Sequence, residues 1–221
     1  MASSMIHYVI SRKVAEHFNI KDLNSFLFGA VIVPDCGSHE DSSYDFFHCT
    51  DVLPERGIKG FNHVQLSRRY SEHMAEDFFL GYFCHIIQDN IWFHDIVNPN
   101  IRIYPPDIKA EKYRTVYRDY YRLNYILQTE FNGPYEPIYK AEIPIKEAVE
   151  TRVDALLNLF KDFLITPENA GEELELLTWD MLSAYIDKCI KYCTEEIRRL
   201  KAGEELSDPA ELYVPIWKIL L

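Results

Sequence analysis

Residues 78–93 read FFLGYFCHIIQDNIWF, and how this stretch is read decides the fold. Apolar side chains occupy nearly every face of the helix it predicts, and a helix that is apolar all round belongs at the centre of a protein. The helical pattern extends beyond the stretch, from about Leu66 to Val97. Within the run, His85 and Asp89 are the polar exceptions; four residues apart, they project side by side.

On the N-terminal side, Ile6, Val9, Ile10, Val14 and Phe18 recur at helical spacing and predict an amphipathic first helix over 5–18, with His7 turned toward its apolar stripe. FLFGAVIVP at 26–34 is a short apolar run closed by Pro34-Asp35, and polar loop material with Gly37, Ser38, Ser42 and Ser43 continues to about residue 60. On the C-terminal side, 109–130 predicts a helix rich in Tyr (Tyr113, Tyr117, Tyr120, Tyr121, Tyr125), read as core and interhelix packing. A loop over 131–144 and a helix over 145–164 follow, the helix with Val149, Val153, Leu156 and Leu157 on its stripe. Thr166-Pro167-Glu168 offers an N-cap, a first-turn Pro and an early acid for a last helix running to about Lys201. Asp208-Pro209 opens a short turn before an apolar tail, Tyr213 to Leu221, and no strand pattern exceeds the few residues around Ile101–Tyr104. The expectation is an all-α, single-domain multi-helix bundle over 1–221, with a motif region at 5–97, C-terminal helices at 109–201 and a docked tail at 204–221.

A chain of 221 residues buries a continuous core without metals or disulfides to staple it. Its 35 acids against 23 Lys and Arg give a net charge of −12, which repels polyanions. Duplex nucleic acid and an anionic membrane surface are therefore poor partners, and a small substrate fits better. No window approaches the roughly 18 apolar residues of a membrane span, so no stable membrane insertion is expected. No basic region precedes an apolar run of signal-peptide length, and the cytoplasm is the expected compartment. The five Cys read as reduced, buried thiols; Cys189 and Cys193 stand four apart, but no further Cys or His follows to complete a metal site.

Leaving an imidazole and a carboxylate unpaired inside an apolar helix costs several kcal/mol. Either His85 and Asp89 bond each other and a neighbour, or a cation sits between them. His7 on the first helix, Asp35 after its Pro, and His48 between Phe47 and Cys49 are further inward candidates, and His63 is the rival of His48.

In this order the residues resemble the zinc-dependent phospholipase C family, to which the single-strand-specific zinc nucleases are related. The resemblance covers about residues 5–97: an early helical His (His7), Pro34-Asp35 after an apolar segment, His48 about a dozen residues later, and His85-x-x-x-Asp89 on a buried helix. The phrases FLFGAVIVPD and FFLGYFCHIIQDNIW are similar to small bacterial members. The resemblance implies a phospholipase C-like helical fold and one or two zinc ions, or another divalent metal. Asp35, His48, His85 and Asp89 would hold one ion, and Asp89 would bridge to a second held with His7. Asp35 would also be the catalytic base that aligns or activates water. The implied activity is that of a phosphodiesterase acting on a small phosphoester or a phospholipid head group.

The chain also departs from that family. No Trp occurs before Trp92 to supply the α-amine ligand of the secreted enzymes, position 95 is Asp where they carry a His, and no His follows His94. On a continuing helix Asp95 lies about 80° from His85 and His94 lies on the opposite face, while a helix end near Asn98-Pro99 would reorient His94. His94 and Asp95 are thus the second-metal candidates. Two other readings stay open. In one, His94-Asp95 is the doublet of an HD-type phosphohydrolase with a distant Asp such as Asp154. In the other, a helical domain binds metal without catalysis.

Overall fold

The computed structural model describes residues 2–131, 135–165 and 172–216, and helices dominate it. In chain order they are α1 (Ser4–Ala15), α2 (Leu23–Val31), α3 (Ser43–Phe47), α4 (His63–Arg69), α5 (Asp77–Trp92), α6 (Pro106–Glu130), α7 (Glu150–Phe163) and α8 (Trp179–Ala202). Short 3-10 turns cover Val33–Cys36 and Pro209–Leu212, and α5 runs on into a π-helical segment, Phe93–Arg102. Ser3, Asp22, Asn62 and Thr178 each cap a helix by accepting the backbone N–H three residues on. Among the described residues no helix is long and apolar enough to cross a membrane.

α5 is the axis of the molecule, with every residue from Phe78 to Trp92 buried. α2, α8, α1, α4 and the sheet pack around it. α2 comes closest because two glycines allow it: a Cβ at Gly29 would overlap the Phe78 carbonyl, and one at Gly81 the Phe26 carbonyl. This approach puts the Ala30 carbonyl within 2.9 Å of His85 Nδ1. Phe26, Phe28, Phe79 and Phe83 are fully buried around the crossing, each contributing about 1.5–3 kcal/mol by leaving water.

A small sheet completes the architecture. β1 (Thr50–Leu53) and β2 (Ile58–Phe61) form an antiparallel hairpin with Thr50 opposite Phe61, and β3 (Val214–Pro215) pairs with the other edge of β2. The sequence reading had only loop over 37–60. TDVL and IKGF are too short to show apolar alternation, and β3 comes from far along the chain. The few residues around Ile101–Tyr104, the longest strand-like pattern in the sequence, are the end of the π-helical segment and a turn.

Three other expectations need correcting. The helix expected from Leu66 to Val97 is two helices separated by turns at Tyr70–Glu76, a stretch without Gly or Pro to mark the break. The Asp77 carboxylate accepts the N–H groups of Lys21 and Asp22 at 2.9 and 2.8 Å, which ties the start of α5 to the start of α2. The last helix begins at Trp179, capped by Thr178, and Thr166-Pro167-Glu168 lies outside the described residues. Tyr117, Tyr121 and Tyr125 are exposed at 61, 47 and 38%, so the Tyr-rich stripe is only partly core.

Candidate metal centre

Asp35, His48, His85 and Asp89 converge, with one ligand atom of each within 4.8 Å of the others. Asp35 comes from the 3-10 turn after α2, where Pro34 presets the first position. His48 closes α3, and the next residue, Cys49, reverses the chain into β1 at φ 47°. His85 and Asp89 stand one turn apart on α5. Asp35 keeps 11% of its side chain in contact with solvent, while His48, His85 and Asp89 are fully buried.

Each imidazole is held from behind by an oxygen. His85 Nδ1 meets the Ala30 carbonyl at 2.9 Å, His48 Nδ1 the Tyr44 carbonyl at 3.1 Å, and His7 Nδ1 the Gln88 side-chain oxygen at 2.8 Å. A carbonyl oxygen only accepts, so each Nδ1 carries a proton and, in the neutral ring, each Nε2 turns a lone pair inward. Those lone pairs face carboxylate oxygens and one another, an arrangement of acceptors against acceptors. Asp89 Oδ2 and His7 Nε2 are accordingly buried without a hydrogen-bond partner.

The separations match a coordination shell. His48 Nε2 lies 3.3 Å from Asp35 Oδ1, 3.5 Å from Asp89 Oδ2 and 3.5 Å from His85 Nε2. His85 Nε2 lies 3.6 Å from both carboxylate oxygens. Zinc bonds of about 2.0–2.2 Å in a tetrahedron separate neighbouring ligand atoms by about 3.4 Å. Five of the six edges among these four atoms are therefore close to the tetrahedral value, and the donor set of two imidazoles and two carboxylates fits a divalent cation.

Electrostatics separates the His residues. Burial pushes His85 down to about 4, with the nearby His7 adding to the effect, so His85 is a neutral donor at pH 7. Burial opposes ionisation of Asp35, but His85 and His48 beside it hold its carboxyl below the usual range. Burial works against Asp89 too; the contact with His7 and the charges of His85 and His7 are among the influences that outweigh it and hold this carboxyl low. His7 moves the other way. Burial disfavours its charge, yet Asp89 raises its affinity for a proton above the ordinary value. One proton suffices between His7 Nε2 and Asp89 Oδ1, 3.4 Å apart. It bridges none of the five contacts in the four-residue cluster.

His7 thus stands one step outside the cluster, stacked on His85 with ring centroids 4.3 Å apart. Asp89 divides its oxygens: Oδ2 faces His48 and His85, while Oδ1 faces His7 and accepts the Ala2 N–H at 3.2 Å. His63 is elsewhere, 3.3 Å from Glu196, and His48 is the loop residue in the cluster. His94 and Asp95 are not brought to it: His94 bonds Asp95 at 2.6 Å, and Lys188 holds Asp95 at 2.7 and 3.0 Å. The wider π-helical turn changes the angular placement that an α-helix gives these two, and it accommodates Pro99 without the α-helical clash. All five Cys are buried and unpaired.

The sequence reading missed Gln88, which orients His7, and Asn90, which ties α5 to the sheet and to the 3-10 turn at Pro209. Gln88 bonds His7 and donates to Ser11 at 3.2 Å, and Asn90 accepts the Phe61 N–H and donates to the Pro209 carbonyl. Their signal was visible as three consecutive polar residues, Gln88-Asp89-Asn90, inside an apolar helix. Comparison with protein-family models, curated proteins and solved structures gives no match.

Proposed function

We propose that the chain is a zinc-dependent phosphoester hydrolase of phospholipase C-like fold and type, acting on a small phosphoester or a phospholipid head group. The observation that carries the reading is the inward lone pair on each of His48 and His85, facing Asp35 and Asp89 with no donor between them. His48, His85, Asp35 Oδ1 and Asp89 Oδ2 would hold one ion, and His7 Nε2 with Asp89 Oδ1 a second. Bound divalent cations would lower the pKa of coordinated water and neutralise phosphate charge as it develops. The Ala30, Tyr44 and Gln88 oxygens fix the imidazole tautomers and aim the ligand nitrogens. Asp35, the one member of the four that reaches solvent, is placed to align water and accept its proton.

A second reading is favoured by the donor count, because four protein ligands complete a tetrahedral shell, as in structural zinc sites. The catalytic reading requires the less completely ligated pair, His7 Nε2 and Asp89 Oδ1, to hold an ion as well. The two are separated by metal analysis of the purified protein combined with hydrolysis assays on phosphodiester, phosphomonoester and phospholipid substrates. Two ions and chelator-sensitive hydrolysis are expected; one ion and no turnover selects the structural reading, and a stoichiometry near zero that added zinc does not raise removes both. The HD-type reading draws nothing from the geometry, since Lys188 holds Asp95 and Lys140 holds Asp154 at 2.9 Å.

A further inference from the structure

One face of the sheet floors a cavity of about 320 Å³ that adjoins the candidate centre. Thr50, Phe61, Lys59 and Val214 line it from this face, since residues paired across antiparallel strands project to the same side. Tyr44 and Phe93 form walls. The Tyr44 ring also stacks on His48 with centroids 4.0 Å apart, and Phe61 stands 5.6 Å from the same imidazole. Cavity and cluster therefore share a wall. A larger depression of about 740 Å³ lies toward Asp51, Arg68 and Asp208 and contains none of the cluster residues.

The chain carries a net charge of −12, yet one cation, Lys59, lines this cavity and a second, Arg102, sits over its wall residue Phe93. Among the described residues, no carboxylate lies within 4.0 Å of the Lys59 ammonium or the Arg102 guanidinium. Arg102 sits over Phe93 at 6.0 Å and reaches the Pro215 carbonyl at 3.5 Å, while its Nη1 is buried with no hydrogen-bond partner. The Thr50 hydroxyl is likewise buried and unpartnered. Asp45 lines the cavity as an exposed carboxylate and forms no ion pair there. Partial burial lowers the proton affinity of Lys59, and the charge of Arg102 adds to this, as two neighbouring cations do. Unpaired buried donors of this kind are satisfied by an anion.

We propose that this cavity binds the non-scissile part of the substrate: a flat organic group, lying against Phe61 and Phe93, that carries an anion of its own held by Lys59 and by Arg102 beside the cavity. Phosphate suits the two cationic side chains and the Thr50 hydroxyl. The substrate role rests on the hydrolase reading; anion binding does not.

Calorimetric titration of the zinc-free protein with phenyl phosphate tests it, since without metal the Asp35 and Asp89 carboxylates repel anions and leave the cavity as the binding place. Wild type is expected to bind, and inorganic phosphate, lacking the ring, to bind more weakly. Lys59→Met, which keeps the apolar stem, should weaken phenyl phosphate about tenfold or more by removing a charge-assisted bond. Lys59→Arg should retain binding, and Arg102→Gln should weaken it. No binding by wild type overturns the proposal, as does unchanged affinity in Lys59→Met and Arg102→Gln with native circular dichroism. Tight binding in zinc-free protein together with no hydrolysis of phosphodiester, phosphomonoester or phospholipid substrates after zinc loading supports the cavity and removes the hydrolase reading alone.

Discussion

Asp119 and Asp89 are both fully buried, but their surroundings are opposite. Asp119, on α6, accepts the backbone N–H groups of Glu175, Leu176 and Leu177 at 2.9 Å each and the Arg122 guanidinium at 3.1 Å. Asp89 receives one backbone N–H, from Ala2, shares a proton with His7, and otherwise faces the lone pairs of His48 and His85. Glu196 resembles Asp119: it contacts His63, yet Ser207 donates to it from both its backbone and its hydroxyl, at 3.0 and 2.7 Å. A buried carboxylate surrounded by donors is a structural element, whereas one surrounded by acceptors is placed to hold a cation. The contrast is sharper than His–Asp proximity, which His63 and Glu196 also show.

The largest effect expected from this contrast is on the structural side. Asp119→Ala strands three backbone N–H groups and should cost about 3 kcal/mol or more in urea unfolding, with or without zinc. A loss below about 1 kcal/mol would mean that burial alone, rather than donor supply, sets the behaviour of such carboxylates. Next comes the metal. Zinc at about one hundred times its Kd should stabilise wild type by about 2.7 kcal/mol and leave Asp89→Ala unchanged, because that variant lacks the carboxylate facing both sites. Zinc stabilisation retained in Asp89→Ala would sink the cluster as a metal site.

Second-sphere contacts should have smaller effects. Gln88→Leu removes the acceptor behind His7 and should lower affinity for the second ion by about 10–100-fold while sparing the first. Acidification should discriminate in the same direction. His7 holds its proton more tightly than an ordinary His, and His85 is pushed down to about 4, so protons compete for the His7 position at higher pH. Zinc counted by mass spectrometry from pH 8 to pH 5 should fall from two ions to one before the last is lost. Simultaneous loss would assign both ions to one shared set of ligands.

Much of this was legible in the chain, but unevenly. The central helix could be read because sixteen residues at 78–93 are almost wholly apolar, a strong local signal for burial. His85 and Asp89 were legible as exceptions within it. Which loop His completes the cluster was not: His48 and His63 differ by the turn at Cys49 and the hairpin that follows, and four-residue strands leave no periodic trace. The oxygens that orient the rings come mostly from backbone, Ala30 and Tyr44, to which any residue type contributes. Gly29 and Gly81, which bring α2 against α5, were visible as letters, but their role depends on a crossing that only the fold supplies. Asp95 was misplaced for a similar reason, since a π-helical turn and Lys188, 93 residues later in the chain, determine where it points.

The smallest expected effect separates a metal site from a proton-sharing network. In zinc-free protein, Asp89→Asn removes a buried negative charge and places an NH2 group among nitrogen lone pairs, supplying donors where donors are scarce. If Asp89 waits for a cation, the unfolding free energy without zinc should stay within about 0.5 kcal/mol of wild type or rise, in contrast to the loss from the equivalent change at Asp119. If Asp89 were instead the acceptor of protonated imidazoles in a self-sufficient core network, the same change would break charge-assisted bonds and cost about 1.5–3 kcal/mol. Because the two ranges do not overlap, a loss below about 0.5 kcal/mol or above about 1.5 kcal/mol decides between them. The comparison must be made well above pH 6.5, beyond the raised value of His7 as well as the ordinary one, where both His7 and His85 are neutral in the folded and unfolded states.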